Sequence, residues 1–165
     1  MDIKVKYHDQ NMPAILQEKR GNWIDLCVTG VSRVVRYVDG SSKTFATPRT
    51  EDGQGWKISI NENYILSFGV SIWFPETHEA FLLPRSSTYK RYGLTMPHSM
   101  GVIDQTYCGD EDIWILACKA TRSAFLPLYA RVAQFRLLSR MPKITIHSVD
   151  HMEQPSRGGY GSTGI

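Results

Sequence analysis

Apolar residues in this chain fall in short runs, many of them alternating with polar ones, and almost nowhere at the spacing of a helix face. The runs "IKVKY", "WIDLCV", "RVVRYV", "KISI", "YILSFGVSIWF", "AFLLP", "DIWILAC", "VAQFRLL" and "KITIHSV" are rich in β-branched and aromatic residues. Turn formers separate them: Asp39-Gly40, Asp52-Gly53, Pro75, Pro84, Pro97 and Pro142. Short strands and turns at this spacing predict an all-β sandwich or barrel. Only 12–17 and 87–92 read as helical, both briefly. "VVRYV" and "KTFAT" face each other across Asp39-Gly40-Ser41-Ser42 as a hairpin, followed by the polar loop "TPRTEDGQG", so 32–56 stands out as a surface excursion. "GVID" and "IWIL" are expected to form the arms of a second hairpin. The periodic pattern stops after Val149. The chain therefore divides into a β domain over 1–149 and a mobile arm over 150–165.

Composition narrows the class. The chain has 165 residues, one ordinary domain's worth, and at 42% hydrophobic it can bury a core without a disulfide framework. No run approaches the roughly 18 apolar residues of a membrane span. The start "MDIKVKYHDQ" lacks the apolar stretch of a signal peptide. Cys27, Cys108 and Cys118 are odd in number and at no metal-ligand spacing, which fits a reducing, cytoplasmic setting. A net charge of +3 without a Lys/Arg block suits an anionic small substrate as well as a nucleic-acid groove.

Three segments and the tail carry candidate chemistry. Arg85, Ser86 and Ser87 follow a strand that ends at Pro84, so a guanidinium, two hydroxyls and the free N–H groups of a helical turn meet where phosphate oxygens could bind. The same tripeptide also serves as a plain helix start with a surface arginine. Asp104 leaves the apolar "GVI" where the chain turns; it could hold a water for attack or close an Asx-turn. Tyr107 could pack under a sugar or be an ordinary strand aromatic. Gln134, on a strand with Arg131, could contact phosphate or face solvent. The tail "RGGYGSTG" crowds Gly158, Gly159, Gly161 and Gly164 together, and glycine loses most conformational freedom on ordering.

Taken in order, "WIDL", "PRSS", "GVIDQTYCGD", "RVAQ" and "RGGYGSTG" resemble the five motifs of the trimeric dUTPase (deoxyuridine triphosphate nucleotidohydrolase) family, over nearly the whole chain. "PRSSTYK", "SMGVID" and "QFR" look closest to a bacterial and phage subgroup. The resemblance implies a jelly-roll-like β-barrel and a homotrimer with active sites shared between subunits. It implies hydrolysis of dUTP to dUMP and pyrophosphate with Mg²⁺ on the phosphates, which keeps uracil out of DNA. By motif, Asp104 resembles the carboxylate that orients the attacking water. Tyr107 resembles the ring that stacks on deoxyribose. Arg85, Ser86 and Gln134 resemble the phosphate contacts. The backbone from His98 and Ser99 through Gly101 to Ile103 would read uracil. Asp25 resembles the first-motif acid, reaching the metal only through water. Arg157, Tyr160, Ser162 and Thr163 would close over the nucleotide from a neighbouring subunit, ordered only when a charged ligand offsets roughly 1–2 kcal/mol per residue of backbone entropy.

The chain departs from the family pattern at four places. His98 replaces an Asn near the base, and an imidazole cannot both donate and accept in an amide's geometry. Tyr129 replaces a Gly at the start of the fourth motif, which puts a φ > 0 turn in question. Arg157 lies nearer its aromatic than usual. The excursion 32–56 looks like an insertion that could take a protein partner. Two rival readings follow: a catalytically weak nucleotide-binding regulator of the same fold, and a dCTP deaminase. The deaminase needs a carboxylate where Trp114 stands, and an indole shuttles no protons.

Overall fold

The computed structural model describes residues 1–17, 21–156 and 158. In chain order its elements are β1 (Lys4–Tyr7), β2 (Ile24–Cys27), β3 (Gly30–Arg36), β4 (Ser42–Ala46), β5 (Gly55–Ile58), β6 (Asn63–Ser67), β7 (Val70–Trp73), β8 (His78–Pro84), α1 (Ser86–Tyr92), β9 (Leu94–Thr95), β10 (Gly101–Ile103), β11 (Ile115–Ala120), β12 (Ala124–Pro127) and β13 (Arg131–Ser139). The fold is all-β and jelly-roll-like, with one short helix among the described residues. A four-stranded sheet ordered β10-β8-β13-β2 faces a five-stranded sheet ordered β4-β3-β6-β11-β9, and the pairs β1-β7 and β12-β5 complete the shell. Every named pairing is antiparallel. Between the sheets Leu26, Trp56, Leu66, Phe68, Ile72, Phe74, Leu82, Trp114, Leu116 and Phe135 are fully buried, the inward half of a period-two pattern.

The helix forms where expected, one residue earlier. Thr88 is its buried anchor: the hydroxyl donates to the Val132 carbonyl at 2.6 Å, fastening α1 to β13. Gly93 ends it in the left-handed region (φ 64°), its N–H donating to the Tyr89 carbonyl, and a Cβ there would sit 2.5 Å from Arg122 Cγ. The expected β3–β4 hairpin is present, pairing Arg36 with Ser42 through Ser32 with Ala46. Its first strand also pairs with β6, so β3 belongs to the body and only β4 and the loop after it project.

Four local expectations are corrected. Residues 12–17 are not helical; Met12 is buried in the core, Ile15 packs against it, and the segment ends in a bridge from Gln17 to Ile24. "YILSFGVSIWF" is two strands, not one. Gly69 turns the chain at φ 60°, where a Cβ would meet Thr29 Oγ1 at 2.7 Å, and the halves join different sheets. "GVID" and "IWIL" do not pair as a hairpin: β10 lies on β8, whereas β11 lies between β6 and β9. "KITIHSV" has strand-like alternation but forms no strand, because no edge among the described residues receives it. Regular structure there ends at Ser139, and Ile144 and Ile146 are exposed.

Tyr129 settles the question its replacement of glycine raised. It adopts φ 60° itself, as the third residue of a turn closed by Ala130 N–H on the Pro127 carbonyl at 3.1 Å. Its own N–H donates to the Val28 carbonyl at 2.9 Å, and its hydroxyl donates to Asp9 Oδ2 at 2.8 Å. That bond to Asp9 raises the phenol's pKa. A left-handed tyrosine is strained, and these anchors hold it. Tyr129→Phe is expected to lower stability by about 1 kcal/mol, seen as a lower urea midpoint at unchanged slope. An unmoved midpoint would show that the phenol–carboxylate bond does not secure the turn.

Candidate active site

Among the described residues strand β10 pairs on one side only, with β8, and a cleft of about 520 Å³ opens beside it. Leu82, Met96, Ile103, Trp114, Ile115 and Ala117 make its apolar walls, and His98, Asp104 and Tyr107 are its side chains with polar chemistry. Gly101 belongs here for a steric reason: a Cβ would approach Leu82 Cβ to 3.2 Å. The turn before β10 is tight. Ser99 takes φ 66°, and Met100 N–H donates to the His98 carbonyl at 2.7 Å. Five of the expected residues, His98, Gly101, Ile103, Asp104 and Tyr107, therefore share one cleft; Ser99 sits on the turn that shapes it but is not among its lining residues.

Asp104 closes the Asx-turn and keeps chemical capacity. Its Oδ1 accepts both the N–H and the hydroxyl of Thr106, each at 2.9 Å. These bonds, with a smaller contribution from Arg140, hold the carboxyl below its ordinary pKa. It is ionised at neutral pH, and Oδ2 accepts no hydrogen bond among the described residues. The two readings of Asp104 are thus compatible: one oxygen fixes the turn, the other is left for a proton. Tyr107 is anchored at its tip, the hydroxyl donating to the Ile113 carbonyl at 3.2 Å, with its ring partly exposed. Thr106 was missed in the sequence; its signal was the Asp-x-Thr spacing of an Asx-turn.

A second cluster forms on the four-stranded sheet. Gln134 lies in register with Asp25 on one side and Leu83 on the other, so strand alternation puts these three on one face. Arg85, just past β8, reaches Asp25: Nε to Oδ1 is 2.9 Å. Arg131 Nη1 lies 3.3 Å from Asp25 Oδ2. Arg85 Nη1 also donates to the Arg131 carbonyl at 3.3 Å. Ser86 is exposed and Ser87 half-buried at the start of α1. None of Asp25, Arg85, Ser86, Ser87 and Gln134 lines the cleft of Asp104, so a single chain holds the expected constellation as two separate groups. A larger hollow of about 630 Å³ runs along loop 47–52 and Lys57, but none of the expected residues borders it. Arg157, Tyr160, Ser162 and Thr163 lie outside the described residues.

The expectation that Asp25 serves a metal meets a competing arrangement, since each of its oxygens faces an arginine. Among the described residues no group of three His, Cys, Asp or Glu side chains could hold an ion. An ion carried on phosphate oxygens, needing only one or two carboxylates from the protein, would belong to the substrate. No helix among the described residues is long and apolar enough to cross a membrane. Trp114, where a deaminase needs its acid, is fully buried edge-on to Phe74 and Phe135.

The family model for dUTPase matches residues 54–164. The SPbeta prophage-derived deoxyuridine 5'-triphosphate nucleotidohydrolase YosS of Bacillus subtilis (strain 168) is 34% identical over 164 residues, 99% of each chain. The Staphylococcus bacteriophage 80alpha dUTPase with dUPNHPP superposes at a TM-score of 0.70, with 15% identity and 99% of both chains covered. A mutant dUTPase from phage phi11 of S. aureus, in a structure reporting coordination of a structural Mg(II) ion, gives 0.66 at 12% identity over 93% of this chain and 100% of that one.

Thr106→Val keeps the backbone donor to Asp104 and removes the hydroxyl. The Asp104 pKa is expected to rise toward the ordinary carboxylate value, read by carboxyl-carbon NMR titration. Because a depressed carboxyl stabilises the fold above its unfolded pKa and loses that contribution as pH falls through its folded pKa, the contribution should be smaller in the variant and its loss complete at a higher pH. An unchanged titration would mean that the hydroxyl does not hold the charge.

Proposed function

The chain belongs to the dUTPase family, and from that premise we propose that it hydrolyses dUTP to dUMP and pyrophosphate, with Asp104 holding the attacking water. The observation that carries this reading is the Asp104 carboxylate, ionised and held by one oxygen only, at the side of an apolar cleft. Its unpaired Oδ2 takes a water proton as that water attacks the α-phosphorus, and pyrophosphate leaves in line. β10, an edge strand, offers the backbone groups of Gly101–Ile103 that face away from β8 to the rim of a uracil ring, much as a neighbouring strand would, with His98 and Ser99 on the turn beside it. The Tyr107 ring packs against the deoxyribose and leaves no room for a 2′-hydroxyl. Arg85, Ser86, Ser87 and Gln134 supply charge and donors to the phosphates. The substrate is the Mg²⁺-bound nucleotide, and the three unpaired thiols suit a cytoplasmic enzyme.

The separation of the cleft from the arginine cluster supports a shared site, completed by another copy in a homotrimer. Ile144 and Ile146, two residues apart with exposed side chains, suit a strand whose partner lies outside this chain. Arg157, Tyr160, Ser162 and Thr163 are then the arm that covers the bound nucleotide, with backbone N–H groups on the phosphates and Tyr160 over the base.

Asp104→Asn should lower dUTP turnover by about 10³-fold while leaving the affinity for a non-hydrolysable dUTP analogue within a few-fold. Pyrophosphate release is measured against dUTP, dCTP, dTTP and UTP. Equal losses of affinity and rate would remove Asp104 from the chemistry, and ammonia release from dCTP would overturn the hydrolase reading. Truncation after Ser156 is expected to cripple turnover but leave the sedimenting trimer intact, whereas truncation after Ser139 should dissociate it. Monomers from the first truncation would make the arm a structural staple.

A further inference from the structure

Asp25 sits between two cations, and its geometry assigns it work that a metal-facing acid would not do. We infer that Asp25 is the positioning residue of Arg85, fixing the plane and direction of that guanidinium for an incoming phosphate. This rests on the proposed phosphate role of Arg85. The Asp25 side chain is only 19% exposed, and its carboxylate is bound at both oxygens: Arg85 Nε at 2.9 Å and Arg131 Nη1 at 3.3 Å. The Arg131 carbonyl takes a second donor of Arg85, from Nη1 at 3.3 Å. A guanidinium has five N–H donors in one rigid plane. With Nε ion-paired to the carboxylate and one Nη1 donor on a backbone oxygen, the plane is kept from rotating about its long, flexible stem, and its remaining donors keep a constant direction. The anchors are themselves fixed. Asp25 is in β2, paired through Gln134 to β13, and Arg85 N–H donates to the Val132 carbonyl at 3.0 Å. β13 thus holds the acid, the arginine's backbone and its own Gln134, another proposed phosphate contact.

The arrangement has a consequence of unusual sign. A carboxylate beside a triphosphate site repels the substrate, so its removal by charge alone should tighten binding. If Asp25 orients Arg85, removal should weaken it instead, because the guanidinium must then be ordered by the substrate. If Asp25 served the metal's water shell, its loss would raise the Mg²⁺ concentration needed for half-saturation and leave Mg²⁺-free nucleotide binding unaffected.

The test uses the full chain and binding of dUMP and of the imido analogue dUpNHpp, measured calorimetrically with and without Mg²⁺, beside kcat and KM. Asp25→Asn is expected to weaken the analogue about ten-fold with and without Mg²⁺, to leave dUMP binding less affected, and to raise KM more than it lowers kcat. Asp25→Glu retains the charge but displaces its oxygens by a methylene, and should weaken binding as well; it also serves if the Asn variant fails to fold. On an Arg85→Ala background the Asn change should have no further effect. Tighter binding in Asp25→Asn, a loss confined to Mg²⁺ samples, or unchanged binding in Asp25→Glu would each overturn the assignment. Arg85→Ala without effect on analogue affinity would instead overturn the phosphate role of Arg85, which separates the two failures.

Discussion

The ladder between β8 and β13 is the constraint on which the rest depends. Its register runs from Ala133 opposite Pro84 to Ser139 opposite His78, and both sides of the proposed chemistry hang from it. β10 lies on the free edge of β8 and borders the cleft; β2 lies on the far side of β13 and brings Asp25 into line with Gln134. Where the ladder ends, Pro84 stops the strand, and Thr88 ties the following helix back to Val132. A one-residue slip would move Gln134 to the core face and Phe135 to solvent. Burial of Leu82, Ala133 and Phe135 therefore fixes the position of the functional side chains as strictly as it fixes the core.

Two carboxylates on this frame have opposite environments. Asp104 stands at the mouth of a cleft, with one oxygen held by a neighbour two residues on and the other accepting no hydrogen bond among the described residues. That is the state a base requires: ionised, oriented and still able to accept. Asp25 is largely shielded, and each of its oxygens faces an arginine, which suits it to holding other groups. Composition treats the two alike; the partners of their oxygens, and how these are shared between the two, separate them.

The strands, the β3–β4 hairpin, the position of the short helix and the residues around Asp104 were legible in the sequence, because each is governed by neighbours a few positions away. Alternation predicts strands, Asp39-Gly40 a turn, and Asp104 at the end of an apolar run an Asx-turn, although the Thr106 that closes it went unread. Gly69 was not legible as a divider. The need for glycine arises from Thr29, on a remote loop, which occupies the space a side chain would fill. Tyr129 was misleading for the same reason. Its left-handed backbone is made tolerable by Asp9 and Val28, contacts that local propensity does not contain.

Local sequence thus determined which chemical groups this protein possesses and which short elements carry them, since turn chemistry and alternation act over a few bonds. Tertiary structure alone decided which groups meet. It separated "GVID" from "IWIL" into different sheets, left Ile144 and Ile146 without a strand to join among the described residues, and split the motif residues between a cleft and a sheet face. It also brought Arg85 to 2.9 Å and Arg131 to 3.3 Å from the two oxygens of Asp25. Such pairings are set by strand order and register, which follow from the burial of the whole core and are encoded at no single position.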